Sequence, residues 1–259
     1  MQLKIYQIDA FATKTFEGNP AMVCPLESWI SDELMQQIAS ENNLSETAFF
    51  VKENEGYHLR WFTPKAEVNM CGHATLASAY VLFECMGYAK ETIDFTTKSG
   101  ILGVRKEANR YAMDFPIQAI EPCDILESIE KAFGVKPIAT FASMDYIVVF
   151  ENEEDFLLAK PNLALLKELD LRGVCISAKS KKYDFVTRFF APKIGVDEDP
   201  VTGSAFTQLV SYWANVLGKE QLHAKQVSAR GGEVYCLVKG DRVEISGGGV
   251  LYLDGVIEI

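Results

Sequence analysis

Three short stretches carry side chains able to do chemistry. In "ENNLSETAFFV", residues 41–51, Glu46 stands where a polar helix end gives way to an apolar strand. "CGHAT" sets Cys71, Gly72 and His73 side by side, and "TGSAF" does the same with Thr202, Gly203 and Ser204. Strand alternation puts Glu46 on the side of Leu44, Ala48 and Phe50. There its carboxylate either stays in water at the strand's edge or is desolvated. Desolvation raises a carboxyl pKa by up to ~3–5 units. A helix start facing it favours the charged form by only about 0.3–1 kcal/mol, at most ~2. One pKa unit is about 1.4 kcal/mol, so full burial would outweigh one helix start. Such a Glu is suited to acid and base work near neutral pH.

Each of the other two stretches opens a helix that is apolar nearly all round. Ala74, Leu76, Ala77, Tyr80, Val81, Leu82 and Phe83 fill the first; Ala205, Phe206, Leu209, Val210, Tyr212, Trp213 and Val216 fill the second. A helix without a polar face is buried, and Gly87 and Gly218 fit the position that ends it. The first N–H groups of such a helix need partners. Two starts brought to one interface would cradle an anion, most simply a carboxylate. Gly72 and Gly203 allow close backbone approach, or simply make tight turns. The helix dipole disfavours imidazolium at His73, so a neutral donor is expected there. Cys71 meets the same positive backbone ends, which lower a thiol pKa, or is a buried inert thiol. Asp199, before Pro200, and Ser204 either serve the cradle or cap and turn the chain.

These helix starts recur because the chain contains one pattern twice. "RWFTPKAEV" (60–68) returns as "RFFAPKIGV" (188–196), "CGHATLASAYVLFECMG" (71–87) as "TGSAFTQLVSYWANVLG" (202–218), and "NRYAM" (109–113) as "DRVEI" (241–245). The spacing is about 130 residues throughout, half the chain. Strands are expected over 2–11, 44–51, 57–62, 93–96, 101–106, 110–115, 145–150, 184–190, 233–238, 242–246 and 250–258. An amphipathic helix starts in "SDELMQQIASENN", capped by Ser31 and closed by Asn43. The expected fold is α+β: two pseudo-symmetric lobes, each a curved, mostly antiparallel sheet round a central buried helix. The lobes run over 1–117 and 118–249, with a strand over about 250–259 placed to return to the first.

The chain has 259 residues, enough for a substantial core, and a formal net charge of −11. That charge argues against nucleic acid or an anionic membrane as partner. An anionic ligand would need a local positive field. The six cysteines form no C-x-x-C pair and the three histidines lie far apart, so no metal site is expected. The spread of cysteines suits a reducing cytosol. "MQLKIYQIDAFAT" reads as a strand and lacks the basic start and apolar run of a signal peptide. No run approaches ~20 apolar residues, so no membrane span is expected.

"FEGNPAMV", "NNLSETAFF", "RWFTPKAEVNMCGHATLASA" and "DEDPVTGSA", in that order, resemble the PhzF-like proteins of the diaminopimelate-epimerase-fold superfamily. The resemblance spans both halves. It implies a two-lobed fold, a site in the cleft between lobes, no metal or organic cofactor, a small carboxylate substrate and usually a homodimer. The phenazine-pathway member isomerises trans-2,3-dihydro-3-hydroxyanthranilate. Carried over to this chain, its catalytic glutamate is Glu46 within Ser45-Glu46-Thr47, and its other polar site residues fall on His73, Asp199 and Ser204. The backbone amides of Gly72 and Gly203 would hold the substrate carboxylate, with Asn19 of "EGNP" nearby and Ser45 and Cys71 lining the site. The superfamily's racemases use a cysteine at each helix start. Cys71 matches the first, but Thr202 stands at the second, and a hydroxyl does not replace a thiolate as a carbon base. The competing readings are an amino-acid epimerase using Cys71 with Glu46, and a non-catalytic binder of small carboxylates. A Cys–His hydrolase is the weakest, because residues two apart do not face each other on a helix.

Overall fold

The computed structural model describes residues 1–124 and 127–259. The chain is α+β and divides into two compact units. The first comprises Met1–Asp114 with Ser246–Ile259, and the second Phe115–Ile245. In chain order the first unit holds β1 (Gln2–Ala10), β2 (Asn19–Leu26), α1 (Asp32–Asn42), β3 (Glu46–Glu53), β4 (Gly56–Phe62), β5 (Glu67–Val68), α2 (Gly72–Tyr80), β6 (Thr92–Thr97), β7 (Gly100–Glu107) and β8 (Arg110–Pro116). The second holds β9 (Glu121–Pro122), α3 (Glu127–Phe133), β10 (Ala139–Ala142), β11 (Tyr146–Val149), α4 (Glu153–Leu158), α5 (Leu163–Lys167), β12 (Val174–Lys179), β13 (Phe185–Ala191), β14 (Val196–Asp199), α6 (Gly203–Leu217), β15 (Gln221–Gln226), β16 (Gly232–Lys239) and β17 (Arg242–Gly247). The last strand, β18 (Gly249–Glu258), pairs antiparallel with β1.

Both units alternate parallel and antiparallel pairings in the same rhythm. In the first, β2 runs parallel to β3, β3 antiparallel to β4, β4 parallel to β6, and β6 antiparallel to β7. In the second, β11–β12, β12–β13, β13–β15 and β15–β16 repeat that sequence of senses. The recurring Arg of the repeat has one structural use in both copies. Arg60 grips Glu67 through Nε and Nη2 at 2.8 and 2.9 Å, and Arg188 grips Glu198 at 2.7 and 3.1 Å. Each fork ties a strand to the short hairpin that leads to the central helix.

The central helices are buried as their apolar composition requires. Every residue of α2 from His73 to Ala79 is buried, and it packs on β1, β2, β3 and β18. In α6, Ala205–Val210 and Trp213 are buried against β15 and β16. The first helix does not run unbroken to Gly87. After Tyr80 it widens into a π turn over Val81–Cys85, closed by Met86 N–H donating to Val81 O, and Gly87 follows with φ +69°. The wider turn keeps Val81, Leu82 and Phe83 buried while Glu84 accepts from the Tyr111 hydroxyl at 2.6 Å. Gly218 closes α6 in the left-handed conformation. At α1, Ser31 Oγ accepts from Leu34 N–H and Asn43 closes the last turn at φ 49°. Its Met35, Ile38 and Ala39 cluster with Phe49 and Phe62. Among the described residues no helix is long and apolar enough to cross a membrane.

Candidate functional site

Glu46 is the first residue of β3 and pairs with Ala21 of β2. The strand behind it, Thr47–Phe50, is buried on both faces, so alternation alone does not separate a wet side from a dry one. The Glu46 side chain is 17% exposed, which makes it the desolvated carboxylate rather than the wet edge. His73 is the second residue of α2 and its side chain is 8% exposed. His73 Nε2 lies 3.1 Å from Glu46 Oε2. The two atoms touch as an ion pair but are not aligned as a hydrogen bond, and each is buried without another partner. His73 Nδ1 faces Cys71 Sγ at 3.5 Å. Carboxylate, imidazole and thiol therefore form one three-membered cluster.

The charges of this cluster run opposite to two expectations. Burial pushes the Glu46 carboxyl up, but the His73 imidazolium and the Cys71 thiol more than offset it, and the net shift is downward. The expectation of a raised Glu46 counted a helix start as the only opposing influence; the opposing influence is a neighbouring cation. Burial pushes His73 down, yet Cys71 and Glu46 carry it well above its ordinary value of 6.5. The carboxylate in contact thus favours the imidazolium, against the neutral donor expected from the helix dipole. Burial and the Glu46 charge raise the Cys71 thiol to about 11. The anticipated lowering by the helix start does not prevail.

The glutamate, cysteine and histidine ligand atoms all lie within 4.8 Å of one another, a grouping the sequence spacing did not announce. It is the one such grouping of three potential metal ligands among the described residues. His73 presents different ring nitrogens to Cys71 and to Glu46, so one ion could meet all three only if the ring turned.

The start of α2 has no side-chain cap: Cys71 is its N-cap and leaves the first-turn N–H groups of Gly72 and His73 without one. Asn19, 0% exposed, opens β2 opposite Ala10. Gly18 precedes it at φ +67°, where an added Cβ would meet Ala10 O at 2.0 Å. Only glycine fits that approach. Ser45 is exposed, immediately before β3.

The second unit carries the remaining expected residues. Thr202 is the N-cap of α6, again without a side-chain cap bond, and Gly203 and Ser204 open the helix half-buried. Asp199 ends β14 and accepts from the Thr202 hydroxyl at 2.6 Å through Oδ2. Gln226 braces the same turn: its Oε1 accepts from Thr202 N–H at 2.9 Å, and its Nε2 donates to Asp199 O at 2.8 Å. Ser204 Oγ accepts from Arg172 Nη2 at 3.0 Å, and Arg172 forks onto Asp145. The structure thus brings Glu46, Cys71 and His73 together in the first unit, and Asp199, Thr202, Gly203 and Ser204 in the second. Sequence reasoning missed Arg172, Asp145, Gln208 and Gln226. Arg172, Asp145 and Gln226 belong to no quoted motif; the available signal was Gln208, a polar residue inside the otherwise apolar second copy of the repeat.

Known proteins agree in outline. A Pseudomonas aeruginosa protein described as an uncharacterized isomerase is 49% identical over 259 residues, covering all of both chains. The crystal structure of an Enterococcus faecalis protein described as a phenazine biosynthesis protein of the PhzF family matches with a TM-score of 0.98 at 46% identity, covering all of both chains. A Pseudomonas aeruginosa protein described as a predicted epimerase matches with a TM-score of 0.75 at 18% identity over 99% of each chain, which shows a shared fold alone. The family described as phenazine biosynthesis-like protein (PhzC-PhzF) matches residues 8–255. By that match across nearly its whole length, and by its identity to these relatives, the chain belongs to the PhzC-PhzF family of phenazine biosynthesis-like proteins.

Proposed function

We propose that the protein is a cofactor-independent isomerase that moves a proton between two carbons of a small cyclic or amino carboxylate, as in trans-2,3-dihydro-3-hydroxyanthranilate. The observation that carries this reading is the buried Glu46–His73 contact at 3.1 Å, with neither atom otherwise partnered. The relatives' description as isomerases supports it.

In the resting site the carboxylate and the imidazolium hold each other. Substrate changes the balance. When His73 turns its N–H to the charge developing on the substrate, Glu46 loses the influence that kept its pKa down. Burial is the largest single effect on Glu46, and it then raises the pKa and strengthens the carboxylate as a base. Glu46 takes a proton from carbon, the electron pair shifts through the conjugated system, and His73 stabilises the resulting anion. Glu46, now protonated, returns the same proton to another carbon on that face. No atom is gained or lost.

The uncapped N–H of Gly72 is available to a substrate carboxylate. Gly203 and Ser204 offer donors of the same kind at the α6 start, and Asp199 offers a carboxylate beside them. We assign Asp199 a role in steering the substrate's amino group or a proton. Asn19 and Ser45 complete the substrate-binding set.

The epimerase reading has less support. A thiol raised to about 11 is a poor base at neutral pH, and Thr202 replaces the second thiol. Self-association as a homodimer is part of the proposal. Exposed Leu251, Tyr252, Leu253 and Val256 along β18, a ten-residue strand without proline, support it. Sedimentation at several concentrations tests it.

The reaction is tested in D₂O with dihydro-hydroxyanthranilate and a panel of small amino and hydroxy carboxylates. Deuterium entering carbon with the protein supports the reading, and the labelled carbon separates isomerisation from epimerisation. Binding without any exchange supports the binder instead.

A further inference from the structure

The internal repeat locates an asymmetry between the two units. Phe62 of "RWFTPK" and Phe190 of "RFFAPK" are equivalent positions. Phe62 pairs with Thr47, and Phe190 pairs with Val174. One residue earlier, Glu46 therefore corresponds to Gly173, and before that Ser45 corresponds to Arg172. In the first unit Glu46 faces the second residue of α2. Gly173 has no side chain to face α6, and none fits: a Cβ there would meet Phe190 O at 2.7 Å and Phe189 Cζ at 2.8 Å. Arg172 takes over instead and reaches Ser204, the second residue of α6, through Nη2 at 3.0 Å.

Arg172 is held from behind. Its Nε and Nη2 donate to Asp145 at 2.9 and 2.6 Å. Asp145 is wholly buried and also accepts from Gln208 Nε2 at 2.9 Å, while Gln208 Oε1 accepts from the Asp145 backbone N–H at 3.2 Å. The guanidinium lies over the Phe189 ring, 5.3 Å from its centroid. Two hydrogen bonds and the ring restrain the fork.

We propose that Arg172 is a positioning residue: it occupies a lone pair of Ser204 Oγ and so commits the Ser204 hydroxyl to donate its own hydrogen to an oxyanion of the substrate. A hydroxyl has one hydrogen to donate and two lone pairs, while a guanidinium only donates. With Arg172 on one lone pair, the protein side of Ser204 needs no hydrogen from it. Asp145 cancels the charge of Arg172, so the effect is one of geometry rather than of field. The second unit thus holds a pre-oriented donor at the place in its repeat where the first holds His73, the residue that Glu46 faces. The inference rests on the substrate-binding role of Ser204 proposed above.

A double-mutant cycle tests it. Binding of 3-hydroxyanthranilate, and of the same carboxylate panel, is measured by calorimetry for the wild type, Ser204→Ala, Arg172→Lys and the double variant, with melting curves for each. Lysine keeps a cation beside Asp145 but loses the fork. If Arg172→Lys does not fold, the neutral pair Asp145→Asn with Arg172→Gln takes its place in the cycle. Each single change is expected to weaken binding about tenfold, and the double variant to bind no more weakly than Ser204→Ala alone. A purely structural role would add its loss on top of Ser204→Ala. Additive losses, or full affinity in Arg172→Lys, overturn the inference while leaving the proposed function standing. A wild type that binds none of the compounds overturns the proposed function, and this inference with it.

Discussion

Glu46 Oε2 and His73 Nε2 stand 3.1 Å apart at the meeting of a strand start and a helix start. The strand supplies a carboxylate whose contact oxygen is buried, and the helix supplies an imidazole whose other nitrogen faces Cys71. Neither contact atom has another partner, so the pair is a poor place to leave unused. In the proposed mechanism a substrate that accepts from His73 separates the pair and leaves Glu46 as a buried base.

The pair fixes the sign of the pH dependence. Glu46 is depressed from 4.5 and His73 is raised from 6.5. The stabilisation from Glu46 is present above 4.5 and is lost as pH falls through its lower folded value. The stabilisation from His73 is present below 6.5 and is lost as pH rises through its higher folded value. Both are fully present only between 4.5 and 6.5. Urea midpoints measured against pH should peak in that window, and His73→Asn should flatten the alkaline side. In the rate profile the acid limb should fall below 4.5 and the alkaline limb above 6.5.

In the proposed reading Cys71 lines the site without acting as a base. At a thiol pKa of about 11 only about one molecule in ten thousand is thiolate at pH 7. Cys71→Ala should keep deuterium exchange, slowed by roughly tenfold as His73 loses its brace. Complete loss of exchange would favour the epimerase reading. In the wild type, iodoacetamide at pH 7 should reach Cys71 slowly, as followed by peptide mass.

Gly18 is held at φ +67° with its missing Cβ aimed at Ala10 O. Gly18→Ala combines a left-handed strain of about 1–2 kcal/mol with a collision against backbone. We expect a loss of about 3 kcal/mol or more in urea unfolding. Asn19 would be displaced with it, so residual folded protein should bind substrate less well.

Trp213 stacks on Phe185 with centroids 5.4 Å apart and donates from Nε1 to Ser177 Oγ at 2.9 Å, all buried. Trp213→Phe keeps most of the stacking and removes the donor. Ser177 still donates to Val186 O, so the expected cost is about 1 kcal/mol in chemical denaturation.

Much of this was legible in the sequence because the physics was local. Ser31 acts through its Oγ on a backbone N–H three residues on, Asn43 and Gly218 act through their own backbone, and the structure places all three as caps. The all-round apolar helices could only be central. Other parts were hidden because the deciding contacts are distant. β2 carries Pro20 and Pro25, which argue against a strand, yet it pairs on both sides. β15, "QLHAKQ", is too polar to read as a strand and is fixed by β13 and β16. The charge states of Glu46 and His73 depend on each other across 27 residues, and no reading of either alone gives their sign. Arg172 and Asp145 are likewise 27 apart and meet only in the folded unit.

The central claim is that Glu46 is the base that removes and returns a carbon-bound proton. The most direct measurement compares wild type with Glu46→Gln in D₂O, using proton NMR of dihydro-hydroxyanthranilate and the carboxylate panel, with binding confirmed for both proteins. Deuterium at carbon is expected with the wild type, and a loss of about a hundredfold or more in Glu46→Gln at retained binding. Undiminished exchange in Glu46→Gln would contradict it.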